Sequence, residues 1–428
     1  MAEISIAQLH KLFITCSGIC IDTRKVQYGE MFFCLKGENF NANVFAQKAL
    51  DNGALYTIID EEEYYIDKRT IVVSNVLESM QMLAAFHRRQ FNIPFIGITG
   101  TNGKTTTKEL VNAVLSKYFK THATKGNFNN HIGVPLTLLS IPVNTEIAII
   151  EMGANHPGEI AELCKMVEPT YGIITSIGKA HLEGFGNIEG VIKTKTELYT
   201  SVEQSAGCIF VNADNTLLMQ LSANLERYTY GRNVNADVKV KAVSDGPFAS
   251  VDWMGQRINT KLVGTYNVDN IAAAIAIGNY FQVEALLIGE ALREYNPENK
   301  RSQWIKTDHN DIILDAYNAN PSSMKVAIDS FNKLEEKNKW LILGDMLELG
   351  TDSDMEHQAI ITQLQQFTAE AILLVGPIFS RLAAKSGISV FETSKEAAEW
   401  IQANPINSAL ILIKGSRGIA LENILDSL

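Results

Sequence analysis

The segment GITGTNGKTTTKEL, beginning at Gly97, constrains the fold more than any other stretch of this 428-residue chain. It follows the apolar run PFIGIT and opens KTTTKELVNAVLSKYF, in which Leu110, Ala113 and Val114 share one helical face. A strand, a tight Gly/Thr/Asn turn and a helix starting near Lys104 make a loop suited to phosphate, because N–H groups at a helix N-terminus point outward unpaired. Lys104 can reach terminal phosphates, and the Thr105 hydroxyl suits Mg²⁺. The register is unusual. GxxxxGK[ST] would put its first glycine at position 98, which is Ile98; the glycines are Gly97, Gly100 and Gly103. A glycine-rich turn with an exposed lysine is the competing reading, and the flanking strand and helix argue against it.

The rest of the chain repeats the strand–helix alternation that predicts parallel sheets covered on both faces. MFFCLKG reads as a buried strand with a glycine stop, and NVFAQKALDNGA as a short helix ending at Gly53. VLESMQMLAAFHRRQF reads as a helix leading into the loop strand. EIAIIEMG and TYGIITSIG are further strands, and GTYNVDNIAAAIAIGNYF is an Ala-rich helix with Asn267 as its cap. DIILDAYNANP, KWLILGDMLELG, EAILLVG and ALILIKGSRG each carry an apolar strand into a turn. The length exceeds one ordinary domain of roughly 100–200 residues. Three are expected: a small mixed α/β domain over 1–78, a central parallel-sheet domain over 79–298, and a second α/β domain over 299–428.

Composition narrows the function classes. The net charge of −11 argues against general nucleic-acid binding, and it requires local positive groups to hold any anionic substrate. No run approaches the roughly 20 apolar residues of a membrane span. MAEISIAQLHKLF lacks the pattern of an export signal. Cys16, Cys20, Cys34, Cys164 and Cys208 form neither a disulfide framework nor a zinc set. A cytoplasmic protein without membrane insertion is expected.

Further residues are candidates for chemistry. Glu151 ends an apolar strand, and ligands of open parallel sheets lie at the carboxyl ends of strands; it can hold Mg²⁺ opposite Thr105 or simply face solvent. His181 follows the next strand and is a candidate metal neighbour or a structural histidine. The lysines of VIKTKTELY are phosphate clamps or a solvated helix face. Arg301 lies at the second junction, and Asp315 ends a strand where a carboxylate can accept a ribose hydroxyl or cap the strand.

Together these motifs resemble the Mur ligase family, ATP-dependent ligases that add amino acids to the cytoplasmic peptidoglycan precursor. The family loop GT-x-GKT[ST] matches Gly100, Thr101, Asn102, Gly103, Lys104, Thr105 and Thr106, which the resemblance makes ATP-binding. It implies a P-loop-type ATPase centre, a Rossmann-like C-terminal domain and an N-terminal domain for a UDP-sugar. It makes Lys104, His181 and Lys195 catalytic, and it makes Thr105, Glu151, His181 and a carbamoylated Lys195 the supports of two Mg²⁺ ions. Asn267 and Asn270 match an N-x-x-N near the adenine, and Arg301 and Asp315 the nucleotide contacts of the last domain. DTRKVQYGEMFFCLKGE, with Asp22, Thr23 and Arg24, resembles the uridine-nucleotide segment; Asn127, Asn129 and Asn130 are assigned to the UDP-sugar as well. NFNNHIGVPLTLL, EMGANHPGEI, AHLEGFGNIEGV, LGDMLELG and KGSRG look most like the members that join D-alanyl-D-alanine to UDP-N-acetylmuramoyl-tripeptide, with Asn318 and Asn320 facing the dipeptide. The resemblance implies a bacterial, monomeric enzyme working through an acyl phosphate. The alternative is another amide ligase of the superfamily, the third-residue adder or a folylpolyglutamate synthase-like enzyme. Two departures stand out: Asn41-Ala42-Asn43 replaces D-G-H, and Lys300 replaces a frequent Gly before Arg301.

Overall fold

A computed structural model describes residues 4–428 except 233, 234, 244, 299 and 368. Near the N-terminus, four short strands, Ile19–Cys20, Met31–Phe33, Tyr56–Ile59 and Thr70–Val72, form a parallel sheet in that order. The MFFCLKG run divides: its buried strand stops at Phe33, and Lys36–Gly37 pairs antiparallel with Phe40–Asn41. The helix Ala46–Asp51 stops just before Gly53, whose φ of 105° places it in the left-handed region.

The helix Val76–Arg88 starts where the Asn75 side chain accepts the Glu78 N–H. It buries Val76, Met80, Leu83, Ala84 and His87, a spacing of one helical face. That face joins Leu9 and Phe13 to Leu138, Leu163 and Val167 in one continuous core. Residue 78, the expected first junction, lies within this helix.

The central sheet has seven parallel strands in the order Val238–Lys239, Arg227–Gly231, Cys208–Asn212, Tyr171–Ile174, Phe95–Thr99, Ile147–Glu151, Thr121–Ala123. The loop strand Phe95–Thr99 is fully buried between the strands that lead to Glu151 and to His181. The chain crosses from one side of it to the other, so its carboxyl end is a topological switch point. The following helix, Lys104–Leu115, buries Leu110, Val111, Val114 and Leu115, while Ala113 is half-buried. Asn267 precedes the helix Val268–Tyr280 but does not cap it: its Nδ2 donates to Val263 O at 2.7 Å instead. An antiparallel three-stranded sheet, Lys241–Val243, Phe248–Trp253 and Gln256–Val263, was not expected.

The C-terminal sheet runs Gln303–Lys306, Asp311–Asp315, Leu410–Lys414, Lys339–Gly344, Ala371–Val375, Ser389–Phe391. Its first strand is antiparallel and the others are parallel. Four of these strands were expected; the edge strands Gln303–Lys306 and Ser389–Phe391 were not.

Candidate active site

Two glycines explain the register of the loop. Gly100 has φ 147°, and a Cβ there would lie 2.1 Å from Thr175 Oγ1. Gly103 has φ 82°, and a Cβ there would lie 2.5 Å from Asn270 Oδ1. Ile98 is fully buried in the strand, where the apolar core needs a side chain. The loop is pinned to the end of the neighbouring strand. Thr101 N donates to Ser176 O at 2.8 Å, Asn102 N to Ser176 Oγ at 2.9 Å, and Thr175 Oγ1 to Asn102 O at 2.6 Å. Lys104 Nζ donates to the loop carbonyls of Gly100 at 2.7 Å and Thr101 at 3.2 Å.

Glu151 is fully buried. Its Oε1 accepts from Thr105 Oγ1 at 3.0 Å and Asn129 Nδ2 at 2.7 Å, and its backbone N–H donates to Thr124 Oγ1 at 3.0 Å. Oε2 has no hydrogen-bond partner. A buried carboxylate oxygen without a partner, beside a threonine hydroxyl, is a donor set that fits a hard cation. No group of three His, Cys, Asp or Glu side chains forms a cage among the described residues. Such a site suits Mg²⁺, which relies on one or two carboxylates plus substrate phosphates.

His181 takes left-handed backbone, φ 50°, and its Nδ1 lies 2.5 Å from Glu348 Oε2 on the C-terminal side. That contact holds the Glu348 carboxyl below its ordinary range. Lys195 lies on the helix Ile188–Gln204 and is 2% exposed. Burial, then the nearby Lys104 charge, push its ammonium down to about 7. Lys104 itself is pushed down to about 8, chiefly by its distance from bulk solvent; Glu151 opposes that shift and Arg301 adds to it. These charges share one electrostatic environment.

A cavity of about 1260 Å³ opens over the loop. Its walls include Thr101, Asn102, Gly103, Lys104 and Thr106 of the loop, together with Glu151 and His181. Asn127, Asn129, Asn130, Asn267 and Asn270 line it from the central region, and Arg301, Asp315, Asn318 and Asn320 from the C-terminal region. Gly100, Thr105 and Lys195 lie outside that lining, and so do Asp22, Thr23 and Arg24, in the turn after the strand Ile19–Cys20. There Arg24 donates two side-chain bonds to Asp22, at 2.9 and 2.8 Å.

Several of the expected residues already have partners. Asp315 Oδ2 accepts from Lys414 Nζ at 2.6 Å, and the Arg301 guanidinium stacks 3.9 Å from the Tyr317 ring centroid. The Asn130 side chain accepts the N–H of Ile132 and Gly133, and Asn270 Nδ2 donates to Asn267 Oδ1 at 2.9 Å. Asn318 Oδ1 accepts the N–H of Ala319. Asn320 caps the helix Pro321–Asn332 and donates Nδ2 to Asn102 Oδ1 at 2.8 Å, so its amide is committed to a bridge between regions. Sequence reading passed over Thr175, Ser176, Tyr317 and Lys414. Lys414 stands in a segment singled out as KGSRG, and its pairing with Asp315 follows from strand adjacency that only the fold reveals.

Residues 98–278 match the Mur ligase middle domain, and residues 300–417 match the Mur ligase, glutamate ligase domain. The chain is 34% identical over 425 residues to the UDP-N-acetylmuramoyl-tripeptide--D-alanyl-D-alanine ligase of Bacillus subtilis (strain 168), spanning 96% of this chain and 93% of that protein. The chain belongs to the Mur ligase family. The ligase of the same name from Escherichia coli (strain K12) is 31% identical over 447 residues, spanning 100% and 97% of the two chains. MurF from Acinetobacter baumannii superposes with a TM-score of 0.86 at 28% identity, covering 99% of this chain and 98% of that one.

Against the Mur ligase pattern, the first departure has a local reason and the second carries a backbone cost. Asn43 is buried and donates to Asp60 Oδ1 at 2.8 Å and Asn41 Oδ1 at 2.9 Å, so the altered triplet ties down its own turn. Lys300 has φ 56°, the backbone region in which a glycine is unstrained.

Proposed function

We propose that this Mur ligase joins D-alanyl-D-alanine to UDP-N-acetylmuramoyl-tripeptide, with ATP converted to ADP and phosphate. The supporting observation is the single cavity on which the phosphate loop, Glu151, His181, Arg301 and Asp315 all open. Its 1260 Å³ exceeds the roughly 300–1,000 Å³ of an ordinary small-molecule pocket, giving room for a nucleotide and a second anion. The relatives' names carry the same reaction.

A carboxylate at neutral pH is a poor electrophile. Transfer of the γ-phosphoryl group to the tripeptide carboxylate gives an acyl phosphate. The dipeptide amine then attacks its carbonyl: a C–N bond forms, the C–O bond to phosphate breaks, and the amine loses a proton. The loop N–H groups and Lys104 hold the nucleotide phosphates and offset their charge. Thr105 Oγ1 and Glu151 Oε2 would hold Mg²⁺, which would offset the charge of the nucleotide phosphates. Asn267, Asn270 and the Arg301–Tyr317 stack hold the nucleoside end, and Asp315 offers its Oδ1 to a ribose hydroxyl.

Lys195 suits carbamoylation. At a pKa of about 7 a large fraction of the amine is neutral, the form that reacts with CO₂. An N–C bond to CO₂, with loss of one amine proton, would turn repulsion from Lys104 into attraction, and with His181 the carbamate would hold a second Mg²⁺. Asp22, Thr23 and Arg24, with Asn127 and Asn130, contact the UDP-sugar, and Asn318 faces the dipeptide. Residues 1–78, 79–298 and 299–428 act as the UDP-sugar, ATP and dipeptide domains of a monomeric cytoplasmic enzyme. Rotation of the last domain shuts out water, which would hydrolyse the acyl phosphate.

The test is product mass spectrometry with tripeptide precursors ending in lysine or in diaminopimelate, each offered D-alanyl-D-alanine, a free amino acid or glutamate. The account expects ADP release and a pentapeptide product with D-alanyl-D-alanine alone. Product from a free amino acid or glutamate, with none from the dipeptide, overturns it in favour of another amide ligase.

A further inference from the structure

We propose that Lys108 is a positioning residue for the Glu151 carboxylate, acting through the segment from Thr124 to Asn129; this rests on the metal-binding reading of Glu151. Lys108 lies one helical turn beyond Lys104 and is fully buried. Its Nζ donates to Thr124 O at 2.6 Å, Gly126 O at 3.3 Å and Glu109 Oε1 at 2.7 Å. Three donors are the full capacity of an ammonium group. A buried lysine needs such partners, and two of the three are carbonyls of a single loop.

That loop reaches Glu151 twice. Thr124 N donates to Ile149 O at 3.0 Å, extending the edge strand along Ile147–Glu151, and its Oγ1 accepts the Glu151 N–H at 3.0 Å. Beyond Gly126, at φ 54°, the chain turns and Asn129 brings its Nδ2 to Glu151 Oε1 at 2.7 Å. The Asn129 carbonyl accepts the Gly153 N–H at 2.7 Å. Gly153 makes the crossing possible: a Cβ there would lie 2.9 Å from Asn129 Cγ.

Glu151 is therefore held by Thr105 on the phosphate-loop helix and by Thr124 and Asn129 on a loop that Lys108 ties to the same helix. Both side-chain donors go to Oε1 and none to Oε2. One oxygen is saturated and the other is presented. A plain helix-to-loop staple would need the Thr124 and Gly126 carbonyls only. Here the stapled segment also supplies the donor that decides which carboxylate oxygen is free.

The experiment uses the full chain with a non-hydrolysable ATP analogue and reads Mn²⁺ affinity by electron paramagnetic resonance, with nucleotide affinity in EDTA as the folding control. Lys108→Met, Asn129→Leu and Thr124→Val are each expected to weaken Mn²⁺ binding by roughly tenfold or more, the usual effect of losing an outer-shell partner, with EDTA nucleotide affinity unchanged. Thr124→Ser keeps the acceptor hydroxyl and should bind Mn²⁺ as the parent does. Glu151→Gln is the reference for loss of the site. Wild-type Mn²⁺ affinity in Lys108→Met and Asn129→Leu, beside loss in Glu151→Gln, overturns the positioning role alone. Wild-type affinity in Glu151→Gln overturns the metal reading and the proposal with it. If Lys108→Met does not fold, Asn129→Leu and the Thr124→Val/Thr124→Ser pair decide.

Discussion

Glu151 and Asp315 both end a parallel strand and both face the cavity, yet their surroundings differ. Glu151 is fully buried, accepts only neutral donors on one oxygen and leaves the other without a partner. Asp315 is half-buried and bonded to the Lys414 ammonium at 2.6 Å. On the proposed reading, the first carboxylate takes a cation that arrives with the substrate, and the second, paired with Lys414, is an oriented acceptor. The same contrast runs through the two regions. The central floor is fixed by buried hydrogen bonds among adjacent strands. The C-terminal wall meets it through the polar contacts Asn102–Asn320, His181–Glu348 and Lys179–Glu356, and also through Tyr266–Ser302 and an apolar cluster that joins Val263 to Ile313, Ala319 and Met324. A partly exposed ion pair such as Lys179–Glu356 is worth about 0–1 kcal/mol.

Substitutions sharpen this contrast in order of expected effect. Lys104→Ala removes the cation proposed to hold phosphate and should lower the turnover number on the order of 10²–10³-fold; phosphoryl transfer at the parent rate would break the loop assignment. Lys195→Ala should lose most activity while ATP binding persists, a split that equilibrium nucleotide titration beside turnover reveals. The same residue predicts a pH effect. Its folded pKa of about 7 means that the neutral amine is lost as pH falls through about 7. The carbamate signal from isotopically labelled bicarbonate should therefore fade below that pH and be absent in Lys195→Ala. Asp315→Asn keeps an acceptor for the ribose hydroxyl and should raise the KM for ATP by about tenfold or less; it also leaves the buried Lys414 ammonium without its counter-charge, a destabilisation that appears in a denaturant melt. A loss of activity as large as that of Glu151→Gln would erase the distinction between floor and wall. Lys179→Ala should shift unfolding by no more than about 1 kcal/mol in denaturant melts.

The floor was far more legible in the sequence than the wall. Gly100, Gly103, Lys104 and Glu151 lie within short segments where strand, turn and helix follow one another, so local pattern alone brings them to one edge. The antiparallel sheet from Lys241 to Val263 had a readable signal: Gln256–Val263 alternates buried and exposed positions, and Met254-Gly255 turns the hairpin at φ 46° and 77°. It was passed over because the surrounding alternation of strands and helices dominated. The strand Gln303–Lys306 has no buried residue, and Ser389–Phe391 spans only three residues. Neither shows an apolar run. Partners distant in sequence, such as His181 with Glu348, Asp315 with Lys414 and Asn320 with Asn102, are set by how sheets meet. Asn267 reads as a helix cap from its position, but tertiary context turns its amide to Val263 O.

The central claim is that the phosphate loop and Glu151 form one metal-dependent phosphate site. Anomalous diffraction from crystals grown with Mn²⁺ and a non-hydrolysable ATP analogue tests it most directly. The account predicts a peak within about 2.0–2.3 Å of both Thr105 Oγ1 and Glu151 Oε2, bridging to the terminal phosphates over Gly100–Lys104. A Mn²⁺–nucleotide peak elsewhere in the molecule, with Glu151 Oε2 still without a ligand, would contradict it.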